Sequence, residues 1–190
     1  MDLLVNKLVA YCISNHYVDS KQEEWLRYGF EMRLSTLLVL IPFIVLACVL
    51  TNLSCAASFF ISFFYLKRFT SGYHAKSPYI CLLVSLLIEL FFLCVYCPLL
   101  DYRRAILADA FCVIGIFKMA PYNHPNIHLT PEEQAILQYT SRRSVILLSI
   151  GSILCFEVEL SNIAVGITTG MSMAVALLSL AYISDWRNTR

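Results

Sequence analysis

The chain has 190 residues, of which 59% are hydrophobic and 14% charged, and its mean hydropathy is +0.70. An ordinary soluble domain has about 25% charged residues, and one soluble core could not bury this much apolar surface. The composition therefore excludes a soluble domain and indicates an integral membrane protein, while the net charge of +1 gives no sign of a nucleic-acid-binding patch.

Residues 1–33 predict one or two amphipathic helices at the membrane surface. Leu3, Leu4, Leu8 and Val9 recur at helical spacing and are followed by a polar break at Ser14–His16. Apolar residues mixed with charges are typical of helices that lie in the headgroup plane. We expect a membrane anchor, and the alternative is a docking surface for a peptide or for a second copy of the chain. The segment has no long apolar core, so we do not expect a cleaved signal peptide.

Six apolar stretches follow, and each predicts a helix. A perpendicular span needs about 20 residues, so the second and fourth stretches are expected to recruit flanking residues. We predict an all-α integral membrane protein with about six transmembrane helices over residues 34–184, in a single membrane domain of residues 1–190. Four spans with two interfacial or re-entrant segments are the alternative. The stretches are Leu34–Leu50, Leu53–Leu66, Tyr79–Cys97, Ala105–Met119, Val145–Phe156 and Ile163–Ser184.

The basic residues predict the orientation of these spans. With a cytoplasmic N-terminus, twelve of the fourteen basic residues lie on the inside, and only Arg103 and Arg104 lie outside. Cytoplasmic segments of membrane proteins carry an excess of Lys and Arg. We therefore expect a multi-pass protein of the bacterial cell membrane, with both termini and residues 67–81 in the cytoplasm.

Residues 67–81 form a polar island between the second and third apolar stretches. The island holds the imidazole of His74 and the thiol of Cys81, the minimum equipment for acyl transfer through a thioester. In an ideal helix the two residues would lie about 10 Å apart, so a working pair needs a break in the helix, which Gly72 and Pro78 can supply. Cys81 then falls in the first turn of the third span, where the helix dipole favours a thiolate.

Two basic residues of the island, Arg68 and Lys76, are candidates for binding a substrate carboxylate or supporting an oxyanion. They could equally be interfacial anchors that follow the distribution of positive charge. A histidine and a cysteine seven residues apart also occur together by chance. The residues alone therefore leave catalysis and anchoring both open.

Two acidic residues, Glu89 and Asp109, lie within the third and fourth apolar stretches. Carboxyl groups are costly in a bilayer and usually face a bundle interior or a cavity. They could line a polar path for a peptide, or they could pair with Lys118 or an arginine, which is the interpretation we prefer. Glu89 lies about 12 Å along the helix from Cys81, too deep to orient His74 directly.

No metal, cofactor or disulfide framework is expected. Cys94 and Cys97 form a CxxC pair, but the pair lies in an apolar stretch with no second pair or histidine nearby, so we treat it as packing. His124 and His128 are separated by Pro125 and joined by no carboxylate cluster, which argues against a metal site. The cysteines mostly lie in apolar stretches or face the cytosol, where disulfides are rare. They are residues 12, 48, 55, 81, 94, 97, 112 and 155.

The longest hydrophilic connection, residues 120–143, leads into the fifth apolar stretch. Pro121 keeps its first half from forming a regular helix. Thr130, Pro131 and Glu133 then have the spacing of a capping box with proline at the first helical position. We predict a helix that begins there and continues into the fifth span.

The order Arg68-x3-Gly72-x-His74-Ala75-x5-Cys81 resembles the signature of the AgrB family, the membrane peptidases of peptide quorum-sensing systems. The whole chain is similar to that family in its length, its charged amphipathic N-terminus and its segment 120–126, which contains prolines and asparagines. Ser71 stands where many members have a first glycine, which leaves Gly72 as the one residue without a side chain at the bend.

The resemblance implies a cysteine endopeptidase that acts on a small precursor peptide of the AgrD type. By this analogy Cys81 attacks a peptide bond at the C-terminal side of the future signal, and His74 acts first as base and then as acid. The remaining peptide stays on Cys81 as a thioester until one of its own cysteine or serine side chains closes a thiolactone or lactone ring. A homodimer is compatible with this function, because six short spans enclose little volume for a peptide.

Three other functions stay open at this point. A non-catalytic membrane exporter or binding partner of a small peptide would have the same spans and the same buried carboxyl groups. A metal-dependent intramembrane peptidase could use Glu132 and Glu133, but the chain lacks the intramembrane histidines that such an enzyme needs. A scaffold without catalytic activity has no sequence feature in its favour.

Overall fold

The computed structural model of the chain describes residues 2–15, 17, 23–70, 78–122 and 130–188. These residues form seven helices and no strand, which confirms the all-α prediction for this part of the chain. Helix α4 begins as Pro78–Phe91 and continues through a π-helical segment, Phe92–Tyr96, and a short helical segment, Cys97–Leu99. The other helices are α1 (Asp2–Ser14), α2 (Glu23–Leu50), α3 (Leu53–Thr70), α5 (Tyr102–Met119), α6 (Pro131–Glu157) and α7 (Ser161–Asn188).

The six apolar stretches correspond to α2 through α7, but two of these helices start much earlier than the stretches do. Helix α2 runs without interruption from Glu23 to Leu50, so the segment around Trp25 is continuous with the first apolar stretch and is not a separate interfacial helix. Its first residues are mostly good helix formers. Helix α6 likewise runs from Pro131 to Glu157 in one piece.

The prediction of six membrane-spanning helices is not confirmed by helix length and apolarity. Among the described residues, Ser161–Ser184 in α7 is the one helical region long and apolar enough to cross a membrane by these criteria. Leu40–Leu50 and Leu83–Leu99 are apolar but shorter. Helices α3 and α5 have 18 residues each, and charged residues near their ends, such as Lys67 and Lys118, shorten their apolar part.

The chain divides into two compact units, Met1–Val45 and Leu46–Arg190. In the first unit, Arg27 of α2 donates a hydrogen bond to the side-chain oxygen of Asn6 in α1. Arg27 also pairs with Glu23 one turn earlier, at 3.2 Å. The contact between Arg27 and Asn6 joins the N-terminal helix to the first part of α2. The assignment of residues 1–190 to one domain stays a prediction.

In the second unit, α7 packs very closely against α3. Gly166 and Gly170, one turn apart on α7, face the Ser58–Ser62 turn of α3. A Cβ atom at Gly166 would collide with the carbonyl oxygen of Cys55, and one at Gly170 would lie 2.6 Å from the carbonyl oxygen of Phe59. Glycines with this spacing allow the backbones of membrane helices to approach closely. The pair therefore fixes the position of α3, the helix that leads into the polar island.

The loops of the second unit lie at two ends. Tyr122, which follows α5, bonds to Thr70 at the end of α3, so the last residues of these two helices lie at the same end of the unit. We call this end, which holds Thr70 and Met119, the loop end. At the opposite end, which we call the far end, α5 begins where α6 finishes. The hydroxyl of Tyr102 there donates to Glu157 at 2.8 Å. Lys67–Thr70, the first part of the polar island, thus lies at the loop end.

Candidate functional site

Cys81 lies in the first turn of α4, which begins at Pro78 as the sequence predicts. Proline is favoured at the first position of a helix because its missing N–H would have no intrahelical partner there. The free N–H groups of a first helical turn stabilise negative charge nearby. The backbone position of Cys81 is therefore suited to a thiolate.

The remaining residues of the predicted site are only partly within the described structure. His74, Gly72 and Lys76 lie outside the described residues, as does the side chain of Cys81. Arg68 lies in the last turn of α3 with an exposed side chain. Its guanidinium carbon is 5.9 Å from the centre of the neighbouring Phe69 ring. The structure thus describes both flanks of residues 71–77.

The end of α3 is held in place by contacts that we call the tyrosine anchor, formed by Thr70, Met119, Tyr122 and Tyr182. The N–H of Tyr122 donates to the carbonyl oxygen of Thr70 at 3.2 Å. The rings of Tyr122 and Tyr182 are 4.9 Å apart at an angle of 66°, and the Tyr182 hydroxyl donates to the carbonyl oxygen of Met119 at 2.8 Å. Thr70 and Tyr122 are both buried. The anchor therefore fixes the residue that precedes segment 71–77.

The sequence did not reveal this anchor. Tyr122 lies in the proline-containing segment, and its partner Tyr182 is 60 residues further along the chain, so no local pattern connects them. The sequence feature that could have indicated the anchor is Pro121-Tyr122 directly after an apolar helix, because the proline restricts the backbone just before the aromatic residue. Arg142 adds to the same end, since its Nη2 donates to the carbonyl oxygen of Phe117 at 3.1 Å.

Glu89 and Asp109 are both buried within the second unit. One carboxylate oxygen of Asp109 accepts a hydrogen bond from Thr168 at 2.9 Å, and the Thr168 hydroxyl lies 2.9 Å from that of Ser152. Among the described residues, the other oxygen of Asp109 and both oxygens of Glu89 have no hydrogen-bond partner. The polar neighbours of Asp109 in this part of the chain are thus the hydroxyl groups of Ser152 in α6 and Thr168 in α7, and not Lys118 or an arginine as we predicted.

A cavity of about 770 Å³ opens between α4, α5 and α7. Its lining is mainly apolar and includes Phe91 and Phe111. On its wall the hydroxyl of Tyr96, in the π-helical segment, lies 2.9 Å from that of Ser172. The nearest lining residue of α4, Phe91, is about 15 Å along the helix from Cys81. This cavity is therefore separate from the candidate catalytic cysteine.

The family model for accessory gene regulator B, AgrB, matches residues 5–180, nearly the whole chain. The chain belongs to the AgrB family. Membership confirms the resemblance seen in the polar island and implies a membrane-associated role in processing quorum-sensing peptides, in association with the AgrD precursor peptide. No curated protein matches the chain, and neither does any solved structure.

Among the described residues of this AgrB family member, no group of three or more His, Cys, Asp or Glu side chains is placed so that it could hold a metal ion. His124 and His128, the pair considered from the sequence, lie outside them.

Proposed function

We propose that this AgrB family member is a membrane-embedded cysteine endopeptidase that cleaves an AgrD-like precursor peptide and cyclises the product. The observation that carries the proposal is the position of Cys81 in the first turn of α4, directly after the segment that contains His74. A helix start supplies N–H groups that stabilise a thiolate and an oxyanion. The family match supports an AgrD-like precursor peptide as the substrate.

The first half of the reaction cleaves the precursor. The sulfur of Cys81, deprotonated by His74, attacks the carbonyl carbon of a peptide bond, and backbone N–H groups of the first turn of α4 stabilise the oxyanion. His74 then gives its proton to the leaving amine, which releases the C-terminal tail. The N-terminal part of the peptide stays on Cys81 as a thioester.

The second half closes the ring. A thiol or hydroxyl group within the bound peptide attacks the thioester carbonyl carbon, the bond to Cys81 breaks, and the product is a thiolactone or lactone. The thioester preserves the activation of the acyl group, so this step consumes no ATP. Exclusion of water favours the internal nucleophile over hydrolysis because the peptide holds that nucleophile at high effective concentration.

Arg68 and Lys76 are proposed to hold a carboxylate of the precursor. Arg68 supports this role, because its charged group is exposed two residues before the anchored Thr70. Gly72 is proposed to give the segment the bend that brings His74 to Cys81.

The distribution of charge supports a cytoplasmic loop end. Within the described part of the second unit, Arg103 and Arg104 lie at the far end, near the start of α5. The basic residues of the loop end are more numerous: Lys67, Arg68, Lys118, Arg142 and Arg143. We therefore propose a multi-pass topology with a cytoplasmic catalytic segment and cytoplasmic termini. Glu89 and Asp109 are proposed as intramembrane polar groups along a peptide path, and a homodimer stays a prediction.

The test is coexpression of the chain with an AgrD-like precursor peptide, followed by mass analysis of the processed peptide. Cys81→Ala and Cys81→Ser should abolish the cyclic product, and His74→Gln should slow its formation by about 10²–10⁴-fold. Cys94→Ser is the matched control, because Cys94 is an exposed thiol on the same helix, and it should leave processing unchanged.

Two outcomes would overturn the proposal. Unchanged handling of the peptide by Cys81→Ala would instead support a non-catalytic exporter or binding partner. Processing that resists thiol alkylation but stops with a chelator would instead support a metal-dependent peptidase.

A further inference from the structure

Two cysteines that are distant in sequence meet at the far end of the second unit. The sulfur atoms of Cys55 and Cys97 lie 3.9 Å apart, although the residues are 42 positions apart in the chain. Cys55 is in the first turn of α3, and Cys97 follows the π-helical segment of α4. Cys94, the CxxC neighbour of Cys97, is exposed. The spatial thiol pair is therefore Cys55–Cys97, not the pair suggested by the CxxC sequence.

This thiol pair borders an open cavity of about 730 Å³. Polar side chains, including Asn52, Asp101 and Asn162, contribute to the lining together with both cysteines. Cys55 has 3% of its surface exposed, whereas Cys97 is partly exposed. A small polar molecule that enters the cavity therefore reaches Cys97 more readily than Cys55.

The geometry suits disulfide formation. The two sulfur atoms are 3.9 Å apart and a disulfide bond is about 2.05 Å long, so they need to approach by roughly 1.9 Å. In the predicted topology the far end lies outside the cytoplasm, where disulfides persist. The pair is well separated from Cys81, which is at the other end of α4.

We propose that Cys55 and Cys97 form a redox-active dithiol that closes to a disulfide by exchange with a small disulfide molecule in this cavity. The thiolate of Cys97 attacks one sulfur of the small disulfide, forms a mixed disulfide and releases one thiol. Cys55 then attacks the sulfur of Cys97 and releases the second thiol. The cysteines lose two electrons, the small disulfide gains them, and the two cysteine protons leave on the released thiols.

The disulfide has a structural consequence for the helices that flank segment 71–77. It joins the start of α3 to the end of α4, so the stretch of chain from Cys55 to Cys97 becomes a covalently closed loop. A cross-link between positions this far apart restricts the unfolded chain and stabilises the folded one. We therefore expect the oxidised protein to unfold at a higher temperature than the reduced protein.

The experiment uses the reduced full-length protein in detergent with glutathione disulfide as the probe. After oxidation the protein is denatured, its remaining thiols are alkylated, and the labels are counted by intact mass. The chain has eight cysteines, so the reduced protein should carry eight labels, and formation of the disulfide should remove two labels without adding the mass of glutathione in their place. Peptide mapping should find Cys55 linked to Cys97.

Three variants sharpen the test. Cys94→Ser, the matched control, should still lose two labels on oxidation and show the higher unfolding temperature. Cys55→Ser should accumulate a stable glutathione adduct at Cys97, because the resolving thiol is gone. Cys97→Ser should form no disulfide at Cys55. Retention of all eight labels by the wild-type protein, or loss of two labels by Cys97→Ser, would overturn the proposal.

Discussion

The close packing of α7 on α3 predicts different responses to the same glycine-to-alanine substitution at two positions. Alanine is about 1 kcal/mol more favourable than glycine inside a helix. At Gly151 in α6 an added Cβ meets nothing within 4 Å, so Gly151→Ala should gain stability. At Gly170 the added Cβ would lie 2.6 Å from a backbone oxygen of α3, and rotation of a side chain cannot relieve that contact.

The magnitude follows from the difference between the two variants. Both gain the same helix propensity, so the difference in their free energies of unfolding isolates the cost of the contact. Overpacking an interior costs about 1–3 kcal/mol. Gly170→Ala should therefore be about 1–3 kcal/mol less stable than Gly151→Ala.

The assay is reversible unfolding of the purified protein in mixed micelles, followed by circular dichroism. Gly170→Ala combined with Ser62→Ala separates the two parts of the contact, because Ser62→Ala removes the hydroxyl that also faces Gly170 but leaves the Phe59 carbonyl in place. We expect only partial rescue. Equal stabilisation by Gly170→Ala and Gly151→Ala would refute the close approach of α3 and α7.

Three further predictions concern the ends of the helices. Glu159 has a φ of 60°, so Glu159→Gly should stabilise the protein by about 1 kcal/mol while Glu159→Ala should not, as measured by the same unfolding assay. Hydrogen bonds from the backbone N–H and the side chain of Thr130 lower the pKa of Glu133 below its ordinary value of 4.5. The start of α6 should therefore be most stable above that value and loosen as the pH falls through the lowered pKa. Amide protection factors in the first turn of α6, measured relative to the intrinsic exchange rate at each pH, would contradict this if they stayed unchanged at low pH. Tyr182→Phe removes the hydrogen bond to Met119, so it should lower the free energy of unfolding by about 1 kcal/mol. It should also slow peptide processing while the thioester still forms at Cys81. Processing as fast as in the wild-type protein would show that the tyrosine anchor does not position segment 71–77.

Local chemistry made much of the helical framework predictable. Proline at position 78 predicted the start of α4, and the capping box of Thr130 and Glu133 is present, with the Glu133 N–H 3.3 Å from the Thr130 hydroxyl oxygen. These features depend on residues within one turn of each other, so the sequence displays them directly. The continuity of α2 was missed because mixed charges suggested a boundary at the membrane surface, where the chain has no strong helix breaker.

Tertiary contacts could not be predicted in the same way. One carboxylate oxygen of Asp109 accepts a hydrogen bond from a hydroxyl 59 residues away, and the partner of Cys97 is Cys55 and not its sequence neighbour Cys94. Such pairs depend on which helices pack together and on their rotation, and the apolar pattern of a membrane helix leaves that rotation open. The chemistry of the candidate site was predicted from residue types and a family resemblance, neither of which depends on how the helices pack or rotate.

The most direct test of the proposed reaction is intact mass analysis of the protein isolated during turnover with its precursor peptide. The account predicts a covalent peptide adduct on Cys81 that lacks the C-terminal tail, disappears with hydroxylamine and is missing in Cys81→Ala. Cyclic product formed by the wild-type protein with no such adduct, or an adduct on another cysteine, would contradict it.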